Sequence, residues 1–295
     1  MTRRSCGIRA HIAAVPMAIV IASTCGAAAQ GTGLLGKSKT PVVIKAEQGV
    51  EWRRKEKIYV ARGNATARQG QTRIRANELK AHYRQGAAGK TQVWKVTATG
   101  EVDIRTDKKT ATGDVATYLV GSGVFILRGR NLKLATTTQT ITASDRIEYR
   151  SADKRADVIG NAKVVEDDKV IRASRLVAFL KEGANGKMLM RRVEAHGEVL
   201  ITTQNDVIRA DLGDYNGETK LATLTGNVKL TRGNSQLNGE KAIVNLDTGV
   251  SRMVGRVKVL MVPGDNSPGG QQGNVVAPGL SGRDNVKPGQ DADRK

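Results

Sequence analysis

Past residue 29 the sequence holds no cysteine, because Cys6 and Cys25 are its only two. That removes a disulfide framework, a thiolate zinc site and a cysteine nucleophile from the rest of the chain. Histidine is nearly as scarce. His82 and His196 follow no metal-ligand spacing and read as exposed strand residues. No Gly-x-Ser-x-Gly elbow is present. Gly86-Ala-Ala-Gly89-Lys90 reads as a hairpin turn rather than a phosphate loop, since no helix follows to supply amide donors. Nothing is arranged for catalysis, so the expectation is a non-enzymatic protein with no cofactor and no metal. Proline is missing from Val42 to Val262, which suits a long run of ladder hydrogen bonds. Aromatics are few: Trp52, Tyr59, Tyr83, Trp94, Tyr118, Phe125, Tyr149, Phe179 and Tyr215. A core must therefore rest on Val, Ile, Leu and Ala. The stacking platforms of a single-strand nucleic-acid binder are also absent, so no nucleic-acid partner is expected.

What is present is positive charge and repetition. The 295 residues carry 48 bases against 28 acids, a net charge of +20, which calls for an anionic partner. Gly63 to Tyr118 recurs without a gap as Gly160 to Tyr215, an offset of 97 residues. Gly63-Asn64-Ala65 matches Gly160-Asn161-Ala162, Ile74-Arg75-Ala76 matches Ile171-Arg172-Ala173, and Gly100-Glu101-Val102 matches Gly197-Glu198-Val199. Such self-similarity marks a duplicated supersecondary array. Glycines at 63, 100, 129, 160, 197, 226 and 255 alternate with Ile-x-Ala signatures at Ile44, Ile74, Ile141 and Ile171.

The local period is two. From Val96 to Arg105 every even position is small or apolar and every odd one polar, and the pattern returns from Val193 to Ile201 and from Leu224 to Leu230. Alternation with β-branched residues predicts half-buried strands. The phase slips between Ala76 and Leu79 and again between Ala173 and Leu176, which predicts a bulge or corner in those strands. Asn131 reads as one further inserted residue, and Asn216-Gly217 as a tight hairpin.

The ends differ from the middle. Residues 1–29 read as a cleavable signal peptide: Arg3, Arg4 and Arg9, an uncharged apolar run from Ile12 to Ser23, then Ala27-Ala28-Ala29. Their removal leaves +17 on the rest. Residues 30–41 form a short polar lead-in. From Pro263 to Lys295 the chain is rich in Pro and Gly, with equal acids and bases, and reads as a disordered tail. The charge thus belongs to residues 42–262.

A signal peptide ahead of a proline-free strand array carrying Ile44-Lys-Ala-Glu47, Ala98-Thr-Gly-Glu-Val102, Ile141-Thr-Ala-Ser-Asp145-Arg-Ile-Glu-Tyr149, Ala195-His-Gly-Glu-Val199 and Leu224-Thr-Gly-Asn-Val228 resembles the organic-solvent-tolerance (OstA-like) domain family of periplasmic lipopolysaccharide-transport bridge proteins. The resemblance spans about 42–262. It implies an all-β open β-jellyroll of two facing antiparallel sheets. It implies a slot that shelters the acyl chains of lipid A, with basic residues at its mouth. It also implies edge-strand pairing with the inner- and outer-membrane components of the lipopolysaccharide export complex, head-to-tail self-association and a periplasmic location. The candidate lipid-binding residues are Ile74, Val96, Val102, Ile104, Ile171, Val193, Val199, Ile201, Leu224, Val228 and Val257; the plain alternative is that they only pack sheet on sheet. The repeats alone also fit a structural β-solenoid or adhesin. A retained N-terminal segment fits a membrane-tethered inner-membrane partner of the same pathway.

Overall fold

The computed structural model describes residues 41–85, 91–184 and 188–261. The signal segment, the Gly86–Lys90 turn and the C-terminal tail lie outside them. Every regular element among the described residues is a β-strand. In order they are β1 (Val43–Lys45), β2 (Val50–Arg53), β3 (Ile58–Gln69), β4 (Thr72–Gln85), β5 (Thr91–Arg105) and β6 (Lys109–Leu119). Then come β7 (Val124–Arg128), β8 (Leu132–Thr136), β9 (Gln139–Ala143), β10 (Arg146–Arg150), β11 (Arg155–Glu166) and β12 (Lys169–Glu182). Last are β13 (Met188–Thr202), β14 (Asp206–Asn216), β15 (Leu221–Arg232), β16 (Ser235–Asn245), β17 (Ser251–Val254) and β18 (Lys258–Leu260). The duplication is exact in structure: β3 to β6 reappear 97 residues later as β11 to β14.

All pairing is antiparallel, and the chain meanders from one long strand to the next. The pairs β1/β2, β7/β8, β9/β10 and β17/β18 each act as one long strand interrupted at its middle, because each pair shares its neighbours: β7 and β8 both bond β6, and β9 and β10 both bond β11. The break between β7 and β8 contains Asn131, where the sequence had predicted an inserted residue.

A line of irregularities crosses the sheet at one level. On β3, Arg62 and Ala65 face Glu78 and Ala76 of β4, so two residues, Gly63 and Asn64, oppose one, Asn77. The same shift follows Thr99, Ile159, His196 and Thr225 on β5, β11, β13 and β15. At each place a glycine and its successor both have positive φ, for example Gly63 at 77° and Asn64 at 42°. A Cβ on Gly63 would stand 2.9 Å from the backbone nitrogen of Gln48, so glycine is required there by contact as well as by conformation. The polar residue after each Ile-x-Ala sits against the glycine of the next strand: Asn77 against Gly100, Ser174 against Gly197, Asp211 against Gly226. Side chains tie the line together, with Asn64 donating to Glu47 at 2.9 Å and Asn227 to Asp211 at 2.8 Å.

Of the bulge or corner expected in β4 and β12, the corner is there and the bulge is not. The extra residue lies in the glycine strands, where the alternation runs unbroken, and not in β4 or β12, where it slips. An added residue with left-handed backbone restores the inward phase after the bend. Its partner bends without one and must shift phase. Asn216-Gly217 also differs from a two-residue hairpin. The loop spans 217–220, and the Asn216 carboxamide oxygen accepts the amides of Glu218 at 2.9 Å and Thr219 at 3.2 Å, an Asx turn that lengthens the connection.

The line acts as a crease. It divides the described residues of the long strands into layer A (43–45, 65–76, 102–113, 132–143, 162–173, 199–210, 228–239 and 258–260) and layer B (50–62, 78–85, 91–99, 115–128, 146–159, 175–184, 188–196, 212–225 and 241–254). Apolar residues of both layers, from Ala65 and Ile104 in A to Leu127 and Leu176 in B, join one buried cluster. The sheet is thus folded on itself into two facing layers around a shared interior.

Candidate functional site: the interior between the layers

Register places the inward residues in rows that run across all strands. In layer A one row passes through Ile44, Ala67, Ile74, Ile104, Ala111 and Leu134. It continues through Ile141, Val164, Ile171, Ile201, Ile208, Leu230, Leu237 and Val259. Every position is Ile, Leu, Val or Ala. Strand pairing enforces the row because side chains two apart share a face and cross-strand neighbours sit about 5 Å apart.

The facing row of layer B is of another kind. Trp52, Tyr59, Val96, Tyr118, Phe125, Tyr149, Val193 and Tyr215 fall on it, separated by alanines. Six of the chain's aromatics thus share one row. Trp52 and Tyr59 stack at 5.7 Å, and Tyr83 joins them at 5.1 Å from Tyr59, its hydroxyl accepting the Trp52 indole N–H at 2.7 Å. Burial pushes the Tyr118 hydroxyl above the ordinary tyrosine range, and burial followed by the Asp247 charge does so for Tyr215. Sequence reading missed this row. The signal was there in Tyr118 and Tyr215 repeating at the offset of 97, in phase with Val96 and Val193.

The predicted residues sort cleanly. Ile74, Ile104, Ile171 and Ile201 share the aliphatic row of layer A, and Val102, Val199 and Val228 lie beside the crease in the same layer. Leu224 lies beside the crease in layer B, and Val96 lies on the aromatic row. Val193 belongs to a smaller cluster with Tyr215, Ala222, Val244 and Leu246. Ten of the eleven are buried; Val257 is 45% exposed because it lies in the break between β17 and β18, at the edge of the sheet. The two inner faces close on one another, with Val102 and Val199 each only 2% exposed. The row opens to solvent at its ends, where Ile44 is 38% and Val259 40% exposed.

The charges are not gathered at the mouth. The turn-side lip of layer A is mixed: Asp206 binds Arg232 through two bonds of 2.6 and 2.8 Å, and burial raises the Glu166 carboxyl above the usual range despite the Gln139 hydrogen bond. The two histidines among the described residues lie on outer surfaces. His82 tilts against Trp94 at 5.7 Å, and burial followed by Lys95 and Lys80 lowers its basicity. His196 sits 3.3 Å from Glu194.

The described residues thus form an all-β protein, a two-layered antiparallel sheet with a continuous apolar interior. The profile of the LptA/(LptD N-terminal domain) LPS transport protein family matches residues 43–145 and 207–289, more than half of the chain, and the chain belongs to that family. An uncharacterised protein of Rhizobium meliloti (strain 1021) is 25% identical over 144 residues, covering 46% of this chain and 77% of its own. Among solved structures, LptH of Pseudomonas aeruginosa is described as the LptA homologous periplasmic component of the conserved lipopolysaccharide transport device. It is 12% identical, with 76% of this chain and 96% of that chain covered at a TM-score of 0.19. The architecture above stands on this chain's own ladders.

Proposed function

We propose that this lipopolysaccharide-transport protein works in the periplasm, sheltering lipid A acyl chains between its layers and bridging the inner- and outer-membrane export components. The carrying observation is the aliphatic row of layer A, which holds no aromatic, polar or charged residue from Ile44 to Val259. A twelve-carbon chain gains on the order of 10 kcal/mol from apolar shelter, at ~0.8 kcal/mol per methylene. Closed layers must part to admit it, so part of that gain offsets the loss of A-to-B packing. The exposed ends of the row at Ile44 and Val259 are where parting costs least.

Bridging rests on the edges. Among the described residues β1 and β2 pair only with β3, and β17 and β18 only with β16. Each terminal strand keeps a row of free N–H and C=O groups, which in most proteins is a hazard and here is a docking device. The exposed apolar residues Val43, Trp52, Leu260 and Met261 cluster on these same strands and their flanks.

The experiment is photocrosslinking with a benzophenone amino acid at Ile104 or Ile201, in cells making lipopolysaccharide. Adducts at these inward positions, and none at the outward Arg75 or Lys229, are expected. Equal labelling inside and out, or none inside, would return the chain to the structural reading, for which the closed interior is the supporting observation.

A further inference from the structure

The outward row of layer A, one residue from the aliphatic row, is basic. It carries Lys133, Lys163, Arg172, Arg209, Lys229 and Lys258 across β8 to β18, separated only by Thr142, Leu200 and Asn238. Among the described residues none of these six bases makes an ion pair. With strands about 4.8 Å apart, this acid-free stretch is about 40 Å long. Layer B has no comparable run of unpaired bases, since most bases on its outward rows sit on acids: Arg155 and Arg175 on Asp157, Arg150 on Glu148, Arg192 on Asp214.

A groove of about 560 Å³ lies on this row at the crease. Arg172 and Arg209 flank Leu200 there; Asn161, Ser174 and Asn227 line it too, with the carboxylates of Glu198 and Asp211 on its crease side. The first repeat has no counterpart, because at the same positions it carries Arg75, Asp103 and Thr112, and Asp103 is engaged by Arg105 at 2.7 Å.

We infer that the outer face of layer A in the second repeat binds a linear acidic polysaccharide, with one acidic sugar seated in the groove between Arg172 and Arg209. Two guanidinium forks match carboxylates in geometry and charge. Leu200 offers an apolar floor to a sugar face, and the amides and hydroxyl beside it match sugar hydroxyls. The row is one residue wide, and sheets twist by roughly 20° per strand. It therefore winds around the long axis, so a flexible chain can follow it while a flat bilayer meets only a few of its charges. Single-stranded nucleic acid fits less well, as layer A holds no aromatic side chain for base stacking, and a stiff duplex cannot wind with the row. This inference is independent of what occupies the interior.

The test measures binding of the full chain to polygalacturonate, neutral dextran, double-stranded DNA and phosphatidylglycerol vesicles at about 0.15 M salt. Polygalacturonate is expected to bind most tightly and dextran not at all. The pair Arg172→Glu and Arg209→Glu should lose at least about tenfold for polygalacturonate. The pair Lys95→Glu and Arg252→Glu, an equal charge change on the outer face of layer B, should lose no more than about twofold. Leu200→Asp gives a second variant that keeps both arginines and imitates the first repeat; it should also lose affinity. Equal loss from both pairs, retention by Leu200→Asp, or tighter binding of DNA or vesicles would overturn the proposal.

Discussion

Layers A and B are halves of the same strands, yet they share little chemistry. Inside, A presents an unbroken aliphatic row and B a row of tyrosines with Trp52 and Phe125. Outside, A carries a long row of unpaired bases in its second repeat, and B carries bases mostly bonded to buried or half-buried acids. The crease makes this possible. Because each long strand bends at the same level, its two ends face different surroundings, and each end is free to specialise. The bases repel one another along A, which costs little in water because the exposed charges are screened. The ion pairs of B instead include buried members: Glu148 and Asp157 are 5% and 2% exposed, so their partners are obligatory.

The strongest way to break this contrast is to cut the shared interior from each side. Leu127, on layer B, is fully buried, and Ile104, on layer A, is 5% exposed. Leu127→Ala should cost about 3–4 kcal/mol and Ile104→Ala about 3 kcal/mol, read by urea unfolding. A cost under about 1 kcal/mol at Ile104 alone would mean that layer A is not shut against layer B in solution.

A smaller effect separates the outer faces. Asp157 accepts from Arg155 at 2.8 Å and from Arg175 at 2.5 Å. Asp157→Asn leaves these guanidinium groups short of a counter-charge and should cost about 2–4 kcal/mol. Arg209→Gln on layer A should change stability by no more than about 0.5 kcal/mol. Similar losses at both positions would erase the distinction between a bonded face and a free one.

The finest test is pH. Burial raises the Asp157 carboxyl, but hydrogen bonds from Arg155 and Arg175 outweigh it, leaving its affinity for protons below the usual 3.8. Its folded-state value is depressed, so its stabilisation is present above pH 3.8 and is lost as pH falls further. Glu166 on the lip of layer A runs the other way. Burial lifts it above 4.5, so its contribution is full below pH 4.5 and declines as pH rises through its folded value. Glu166→Gln should therefore raise the melting temperature slightly at pH 7 and not at pH 4, whereas Asp157→Asn should flatten the loss of stability below pH 4. A shift of the same sign from both variants at pH 7 would remove this last difference.

The sequence alone determined the strands, the 97-residue duplication, the inserted Asn131 and ten of the eleven inward residues singled out as buried. Period two is a local property: a side chain's face follows from its neighbours two positions away. It also marked the crease as a bulge or corner in β4 and β12, although the extra residue lies in the glycine strands beside them. Unbroken alternation conceals an added residue when left-handed backbone absorbs it. Only the tertiary structure decided which inward residues meet in rows, that Trp52, Tyr59, Tyr118, Phe125, Tyr149 and Tyr215 gather in one of them, and that a row of unpaired bases lies on the back of layer A rather than at a mouth. Those facts depend on cross-strand register over hairpins of varying length and on a fold that brings strand halves face to face. No local pattern encodes that summed geometry.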